Sequence, residues 1–501
     1  MISDKFNISI ALFFGAFLAI GLYCISYTGI SWDEPAMREY GLVLYDYVNG
    51  IDDELLNHHE RYHGPFFELV LIYLENGMNL TETADIYHMR HVTTFLVCTL
   101  GLWFFYLLSV EFFKNRWLAF LSLILVATPP RIFSNLLYNS KDTVFMALFI
   151  MSIWALLKAY EKRSRNWMFF QAFLVAIAIT VRILGVLIPA ISMFVLIFMP
   201  VVFSKKVKIG IQYSFVLLTC VIAFWPVLWP SPFEQLIASF EHMRQFPWDD
   251  FSLFEETFAT PTDMPWYYLP KWVLMTSPLL QVLLMLLGPV VWLGFRKNSP
   301  FKWAILIWAV APLVAIIGLD ATVYDTWRHI YFIYPAWIIM GVGVVHAAKE
   351  HVKMPLLRKA GVALICLAIG TNLIWSAVNH RNLQCYFNPL FKTNASLNYD
   401  YDFWGLSYLE GLEWIMEQNP SGYVKLSVAN APGFYNCQML PQSDQKRIEF
   451  VSRDSADYFL SNFRFPVHFE PYQKGEYPYQ NLVFEVKVDG NRALGVYQPN
   501  K

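Results

Sequence analysis

Two adjacent carboxylates, Asp33 and Glu34, stand in the stretch Ser31-Trp32-Asp33-Glu34-Pro35-Ala36-Met37-Arg38-Glu39-Tyr40-Gly41, directly after the first long apolar run. A carboxylate placed there can act as a general base that takes a proton from a hydroxyl. Cations collect in three other places: Arg131 in Pro129-Pro130-Arg131-Ile132-Phe133-Ser134-Asn135, Lys141 in Asn139-Ser140-Lys141-Asp142, and Arg328 with His329 at the end of Asp320-Ala321-Thr322-Val323-Tyr324-Asp325-Thr326-Trp327-Arg328-His329. Guanidinium and ammonium groups at a membrane surface suit an anionic headgroup. Arg182, between two apolar runs, is a further candidate, because an ionisable group inside a bundle is normally functional. One base with several cations meets the needs of sugar transfer from a phosphate-linked donor. Glycosidases use two carboxyl groups because an alcohol leaves poorly. A phosphate leaves well, so a transferase needs one base for the acceptor and positive charge for the leaving group.

Each of these groups also has a plainer role. Asp142 or Ser140 can cap the helix that follows them. Arg328 and His329 face the positive end of a helix dipole, a cost that pairing with Asp325 or Asp320 would offset, as would a bound phosphate. His63, in His58-His59-Glu60-Arg61-Tyr62-His63-Gly64-Pro65, is placed to orient a substrate or to brace its loop. That stretch invites a metal reading, but His clusters in loops are commonly solvated and the six cysteines show no ligand spacing. No metal and no cofactor are assigned; a divalent ion is not indicated. Cys385 and Cys437 both fall in the C-terminal part, where a disulfide between them is open.

The elements that must hold these residues are mostly membrane helices. Hydrophobic residues make up 56% and charged residues 15% of the 501, against about 25% charged in a soluble domain. Apolar runs near 9–29, 92–111, 117–130, 143–160, 168–182, 184–203, 210–229, 273–295, 304–319, 330–348 and 360–379 give about eleven spans at roughly 20 residues each. The expected fold is a polytopic α-helical membrane protein with a small α/β domain at its C-terminus. Residues 1–379 would form the transmembrane part and 380–501 the α/β domain. Pro35 favours an extended residue before it and a helix after it, so Asp33 and Glu34 should stand at a helix start. Met37, Tyr40, Val43, Leu44 and Tyr47 then recur at helical spacing, as in an amphipathic helix on a membrane surface.

Lys and Arg set the orientation. Lys114 and Arg116, Lys162 to Arg165, Lys205 to Lys208, Arg296, Lys297 and Lys302, and Lys349 to Lys359 lie in short loops that the positive-inside rule places in the cytoplasm, together with the N-terminus. Loops 30–91, 131–142, 230–272 and 320–329, and the α/β domain, are then extracytoplasmic. Its strands are expected at Tyr423–Val428, Arg447–Ser452, Tyr458–Asn462 and Leu482–Val486, with a turn at Val488-Asp489-Gly490-Asn491 before Ala493–Tyr497. Ser407–Gln418 has helical periodicity. The aromatic loop between Trp225 and Trp272 suits interface anchoring, sugar stacking or a lid. A net charge of −2 without a basic stripe excludes nucleic acid as a partner.

Trp32-Asp33-Glu34-Pro35 after the first span, Asn139-Ser140-Lys141-Asp142 before the fourth and Tyr324-Asp325-Thr326-Trp327-Arg328-His329 before a late span together resemble the GT-C superfamily of membrane glycosyltransferases. The likeness is to its protein O-mannosyltransferase-like and aminoarabinose-transferase-like branch. The resemblance implies a GT-C-like fold, a polyprenyl-phosphate sugar donor, an outer-loop acidic base, inversion at the anomeric carbon and a hydroxyl acceptor on a glycan, glycolipid or protein. Carried onto this chain, Asp33 is the base and Glu34 its acceptor-positioning partner, while Arg131, Lys141, Arg328 and His329 hold the donor phosphate. A role in building cell-envelope glycan at a bacterial inner membrane follows from the same likeness. A transporter or flippase of a lipid-linked or anionic substrate is the alternative, but such proteins tend to bind near the midplane between two related halves. Here the polar groups gather at one face.

Overall fold

A helix satisfies its own backbone hydrogen bonds, so apolar runs in a bilayer become helices. The computed structural model describes residues 2–244, 246–248, 250–294, 299–319 and 321–499. Its first helices are α1 (Ile2–Ile25), α2 (Glu34–Val48), α3 (Phe66–Gly77), α4 (Thr83–Phe113), α5 (Arg116–Ala127), α6 (Pro130–Tyr138), α7 (Asp142–Lys162) and α8 (Arg165–Ile179). There follow α9 (Leu187–Ile197), α10 (Phe203–Phe224), α11 (Pro232–Arg244), α12 (Tyr268–Thr276), α13 (Leu279–Gly294), α14 (Pro300–Gly318), α15 (Tyr334–His351) and α16 (Pro355–Val378). Among the described residues, seven helices are long and apolar enough to cross a membrane: α1, α4, α7, α10, α14, α15 and α16. The pair α5 and α6, bent by 72°, makes an eighth if it is one span, and α8 and α13, with α9 and the turn before it, are shorter apolar helices. All eleven expected runs fall on these helices; length and composition alone qualify seven or eight. The chain is a multi-pass membrane protein.

Pro129 and Pro130 cause the bend. Neither supplies an N–H, so α5 ends at Ala127 with Thr128 as its cap, and α6 starts with Pro130 in a new direction. Helix α7 is the centre of the bundle, with 83% of its apolar stretch buried, whereas α16 is its rim, at 6%. Close approach at the centre uses small residues. A Cβ on Gly101 of α4 would lie 2.4 Å from the Cβ of Ala147 on α7, and one on Gly288 of α13 would lie 2.9 Å from the backbone of Gly341 on α15.

A short hairpin, β1 (Ser252–Phe254) and β2 (Thr257–Ala259), lies in the loop before α12. After α16 come β3 (Val424–Val428), β4 (Ile448–Phe450), β5 (Tyr458–Ser461), β6 (Leu482–Val488) and β7 (Asn491–Tyr497), in the order β4-β3-β5-β7-β6. Strand β3 runs parallel to both neighbours, while β7 is antiparallel to β5 and β6. The strands fall within a few residues of the expected ones, and the helix Tyr408–Gln418 matches its expected range. Cys385 and Cys437 are both buried and unpaired.

Candidate active site

The turn that carries Asp33 is held from three sides. Pro35 enters the first turn of α2, and Met37, Tyr40, Gly41 and Leu44 form its buried stripe. The Glu34 carboxylate folds back: its Oε2 accepts from the Ser31 N–H at 2.8 Å, and its Oε1 lies 2.8 Å from His91 Nε2 on α4. From the C-terminal domain, Asn436 accepts from the Ile30 N–H and donates to the Ile30 carbonyl, each at 3.0 Å. The Trp32 N–H donates to the Trp404 carbonyl at 3.1 Å. What remains free to face outward is the Asp33 carboxylate.

That carboxylate meets two cations. Its Oδ2 is 3.1 Å from Lys141 Nζ and 3.2 Å from Arg328 Nη1. Burial alone would raise the Asp33 carboxyl, but Lys141 and Arg328 hold it well below the usual carboxylate range. Asp142, the first residue of α7, is fully buried and receives Arg182 Nη1 at 2.5 Å and Arg328 Nη1 at 3.5 Å. Arg328 Nη2 reaches Asp325 at 3.3 Å, and the other oxygen of Asp325 takes Arg464 Nη2 of the C-terminal domain at 2.7 Å. Asp325 thus supplies the expected partner for Arg328, and Asp33 and Asp142 share it. Asp320 lies outside the described residues.

A cavity of about 250 Å³ opens beside this cluster. Lys141, Arg182, His63 and His329 stand at its polar end, while Leu184, Leu187, Phe240, Pro312, Ala315 and Ile316 are among the residues that line the rest. Gly64 makes the assembly possible: a Cβ there would lie 2.3 Å from the Val181 carbonyl, so only glycine lets the His63 loop sit on the end of α8 beside Arg182. His63 pairs with Glu60. Burial lowers the His63 imidazole below its ordinary value against the pull of Glu60. For Glu60, burial is outweighed by His63 and Lys141, which bring it down to about 2. Trp248 stacks on Tyr324, a cavity-wall residue, at 4.5 Å. Trp225 and Trp272 are fully buried packing residues and Trp266 is exposed, so the aromatic loop does not act as one stacking surface.

Asp33, Lys141, Arg182, Arg328, His329 and His63 are therefore brought together, and two expected residues are not. Arg131 is completely buried under the bend, where its guanidinium lies over Trp272 and Phe387 and donates to the Tyr386 carbonyl at 3.4 Å. The second proline sets α6 turning inward, and Arg131 goes with it, away from the cavity. Glu34 has both oxygens engaged, by the Ser31 N–H and by His91, and so braces the turn; it does not join the cations around Asp33. The capping roles also differ. Asn139 accepts from the Asp142 N–H at 2.8 Å, which frees the Asp142 carboxylate for the two arginines, and Ser140 Oγ donates to Glu68 at 2.5 Å. Arg464, Glu60 and Tyr324 were not assigned from sequence; no local pattern marks Arg464, and its unusual loop, with positive φ at Phe463 and Phe465, shows only in the structure. Among the described residues no group of three or more His, Cys, Asp or Glu converges as a metal site.

Residues 80–229 match the family model of dolichyl-phosphate-mannose-protein mannosyltransferases. That segment holds Lys141, Asp142 and Arg182. Among solved structures, ArnT from Cupriavidus metallidurans bound to undecaprenyl phosphate is similar at a TM-score of 0.53 and 14% identity, over 97% of this chain and 97% of that one. ArnT of the same organism in the apo state gives a TM-score of 0.53 at 12% identity, over 98% of each chain. Comparison with curated protein sequences yields no match. At these identities the likeness establishes a shared fold, and the expected GT-C-like architecture is borne out.

Proposed function

We propose that this chain, a member of the GT-C superfamily of membrane glycosyltransferases by its fold, moves a sugar from a polyprenyl-phosphate donor to a hydroxyl acceptor, with Asp33 as the base. One observation carries the reading: an apolar cavity ends in Lys141, Arg182, His63 and His329, and Lys141 in turn touches Asp33. An isoprenoid chain matches the apolar walls, and its phosphate matches the cationic end. The polyprenyl lipid in one fold relative supports the same donor class.

In the step, the acceptor oxygen attacks the anomeric carbon from the face opposite the phosphate and gives its proton to Asp33. The bond between the anomeric carbon and the phosphate oxygen breaks, and its electron pair leaves on the lipid phosphate. The sugar inverts, and the products are the glycoside and the free lipid phosphate. Lys141 and Arg182 take up the charge that develops on the leaving oxygen. With Lys141 and Arg328 against it, Asp33 is a weak base; a phosphate that draws Lys141 toward itself returns basicity to Asp33. Atoms and charge balance without a metal or cofactor. Glu34, Asp142 and Asp325 hold the geometry. The acceptor is a glycan, glycolipid or protein hydroxyl, the site faces the extracytoplasmic side of a bacterial inner membrane, and the N-terminus is cytoplasmic.

The test is to offer purified protein in lipid nanodiscs a panel of polyprenyl-phosphate sugars with membrane glycolipid extract as acceptor, and to follow free lipid phosphate. Acceptor-dependent release from one donor supports the reading. If folded protein consumes no donor but moves one of these lipids across vesicle membranes, the chain is a flippase instead.

A further inference from the structure

Arg464 is the one residue of the C-terminal domain whose charge enters the cluster around Asp33 among the described ion pairs. It lies three residues past the end of β5, between Phe463 at φ 60° and Phe465 at φ 71°. Left-handed backbone at two bulky residues costs about 1–3 kcal/mol each and persists only where the surroundings impose it. Here Ser461 Oγ accepts from the Phe463 N–H at 3.0 Å, and Asn462 Nδ2 donates to the Asp402 carbonyl at 2.9 Å. The guanidinium so aimed is nearly fully buried. It donates to the Phe403 carbonyl at 2.5 Å and to Asp325 Oδ1 at 2.7 Å, and it lies 4.6 Å over the ring of Trp32, the neighbour of Asp33.

The segment it grips is strained as well. Asp325 has φ 50° and Thr326 φ 72°, and the Thr326 N–H donates to the Tyr268 hydroxyl at 3.1 Å. Two strained turns, one from each domain, thus face each other across one ion pair. The consequence for Arg328 is electrostatic. Its guanidinium is shared among Asp33, Asp142 and Asp325. Without Arg464, Asp325 would be a buried carboxylate with Arg328 as its sole cation, and it would draw Arg328 toward itself and off Asp33. Arg464 satisfies one Asp325 oxygen and leaves Arg328 divided between Asp325 and the base.

We propose that Arg464 is a positioning residue for the transfer reaction: through Asp325 it keeps Arg328 against Asp33, so that the C-terminal domain completes the active site. This rests on the function proposed above. The first test does not depend on that function. Amide hydrogen exchange of residues 321–330 is compared in wild type and Arg464→Met in nanodiscs, with the β3 amides at 424–428 as a control for folding of the domain. Faster exchange at 321–330 with β3 unchanged is expected; equal exchange at 321–330 overturns the hold on this turn. The second test is kinetic. Arg464→Met should lower turnover about 10–100-fold, the scale of an ångström-level misplacement, while undecaprenyl phosphate binds within about 3-fold of wild type. Arg464→Lys should recover part of the rate. Asp325→Asn combined with Arg464→Met should be no slower than the slower single variant, since both act through one link. Wild-type turnover in Arg464→Met, or fully additive losses in the double variant, would overturn the proposal. Absence of turnover in the wild type itself would instead strike at the proposed function, and the exchange result would still decide the hold.

Discussion

Replacing Glu34 by alanine should destabilise the protein strongly, whereas replacing its neighbour Asp33 by asparagine should cost less. Glu34 is 4% exposed and makes two contacts of 2.8 Å, to the Ser31 N–H and to His91. Hydrogen bonds to a charged group contribute roughly 1.5–3 kcal/mol each, so losing both costs about 3–6 kcal/mol. That is a large share of the ~5–15 kcal/mol that holds a typical domain. Asp33 is about a quarter exposed, and of its two cations Arg328 keeps Asp142 and Asp325 while Lys141 loses its carboxylate, so Asp33→Asn should cost about 1–3 kcal/mol, less than Glu34→Ala. The assay is built into the chain: Cys24, Cys98, Cys385 and Cys437 are buried free thiols. With the exposed Cys366 and the partly exposed Cys220 replaced by serine in every variant, a thiol-reactive dye added during heating reports unfolding. Glu34→Ala should react at markedly lower temperature than wild type, with Glu34→Gln between them. If Glu34→Ala unfolds like wild type and yet has lost turnover, Glu34 belongs to the chemistry and the brace described here is wrong.

Lys141→Ala should weaken undecaprenyl phosphate binding about 10–100-fold, the worth of one charge-assisted hydrogen bond, measured by equilibrium binding in nanodiscs; an unchanged affinity would remove Lys141 from the phosphate site. Arg131→Met should bind the same lipid within about 3-fold of wild type but unfold earlier in the thiol assay, because Arg131 lies on Trp272 and Phe387 and not at the cavity. Asp400 gives a pH signature. Burial pushes its carboxyl from 3.8 up to about 7, against the opposing charge of Arg464. The unfolded chain gives up this proton first as pH rises, so wild-type stability falls between pH 4 and pH 7 and the loss is complete above the folded value. Asp400→Asn lacks this titration and should gain about 3 kcal/mol on wild type between pH 5 and pH 8; parallel unfolding curves at both pH values would contradict it.

The parts of this molecule that a local pattern encodes were legible in the sequence. Apolar runs near 20 residues marked the spans, short runs rich in β-branched and aromatic residues between turn residues marked β3 to β7, and Pro35 after two acids marked the start of α2. Asp33, Lys141 and Arg328 were found because each stands at the end of an apolar run. What failed depended on distance. Which of Asp33 and Glu34 keeps its carboxylate for Lys141 and Arg328 depends on His91, 57 residues on from Glu34, which no local pattern reveals. Arg131 falls in the stretch 131–142, which reads as a loop from its sequence, but residues 130–138 form α6, and its direction after Pro129 and Pro130 carries Arg131 into the core. Asp142 read as a cap because nothing local shows Arg182 and Arg328 arriving from other helices. Arg464 was invisible for the same reason: its meaning lies in Asp325, 139 residues before it.

The measurement that tests the account most directly is acceptor-dependent release of lipid phosphate by wild type and Asp33→Asn, with undecaprenyl phosphate binding measured on the same preparations. The account predicts that Asp33→Asn binds the lipid as wild type does, or more tightly because Lys141 is freed, and releases nothing above background. Release by Asp33→Asn at the wild-type rate would contradict the assignment of Asp33 as the base.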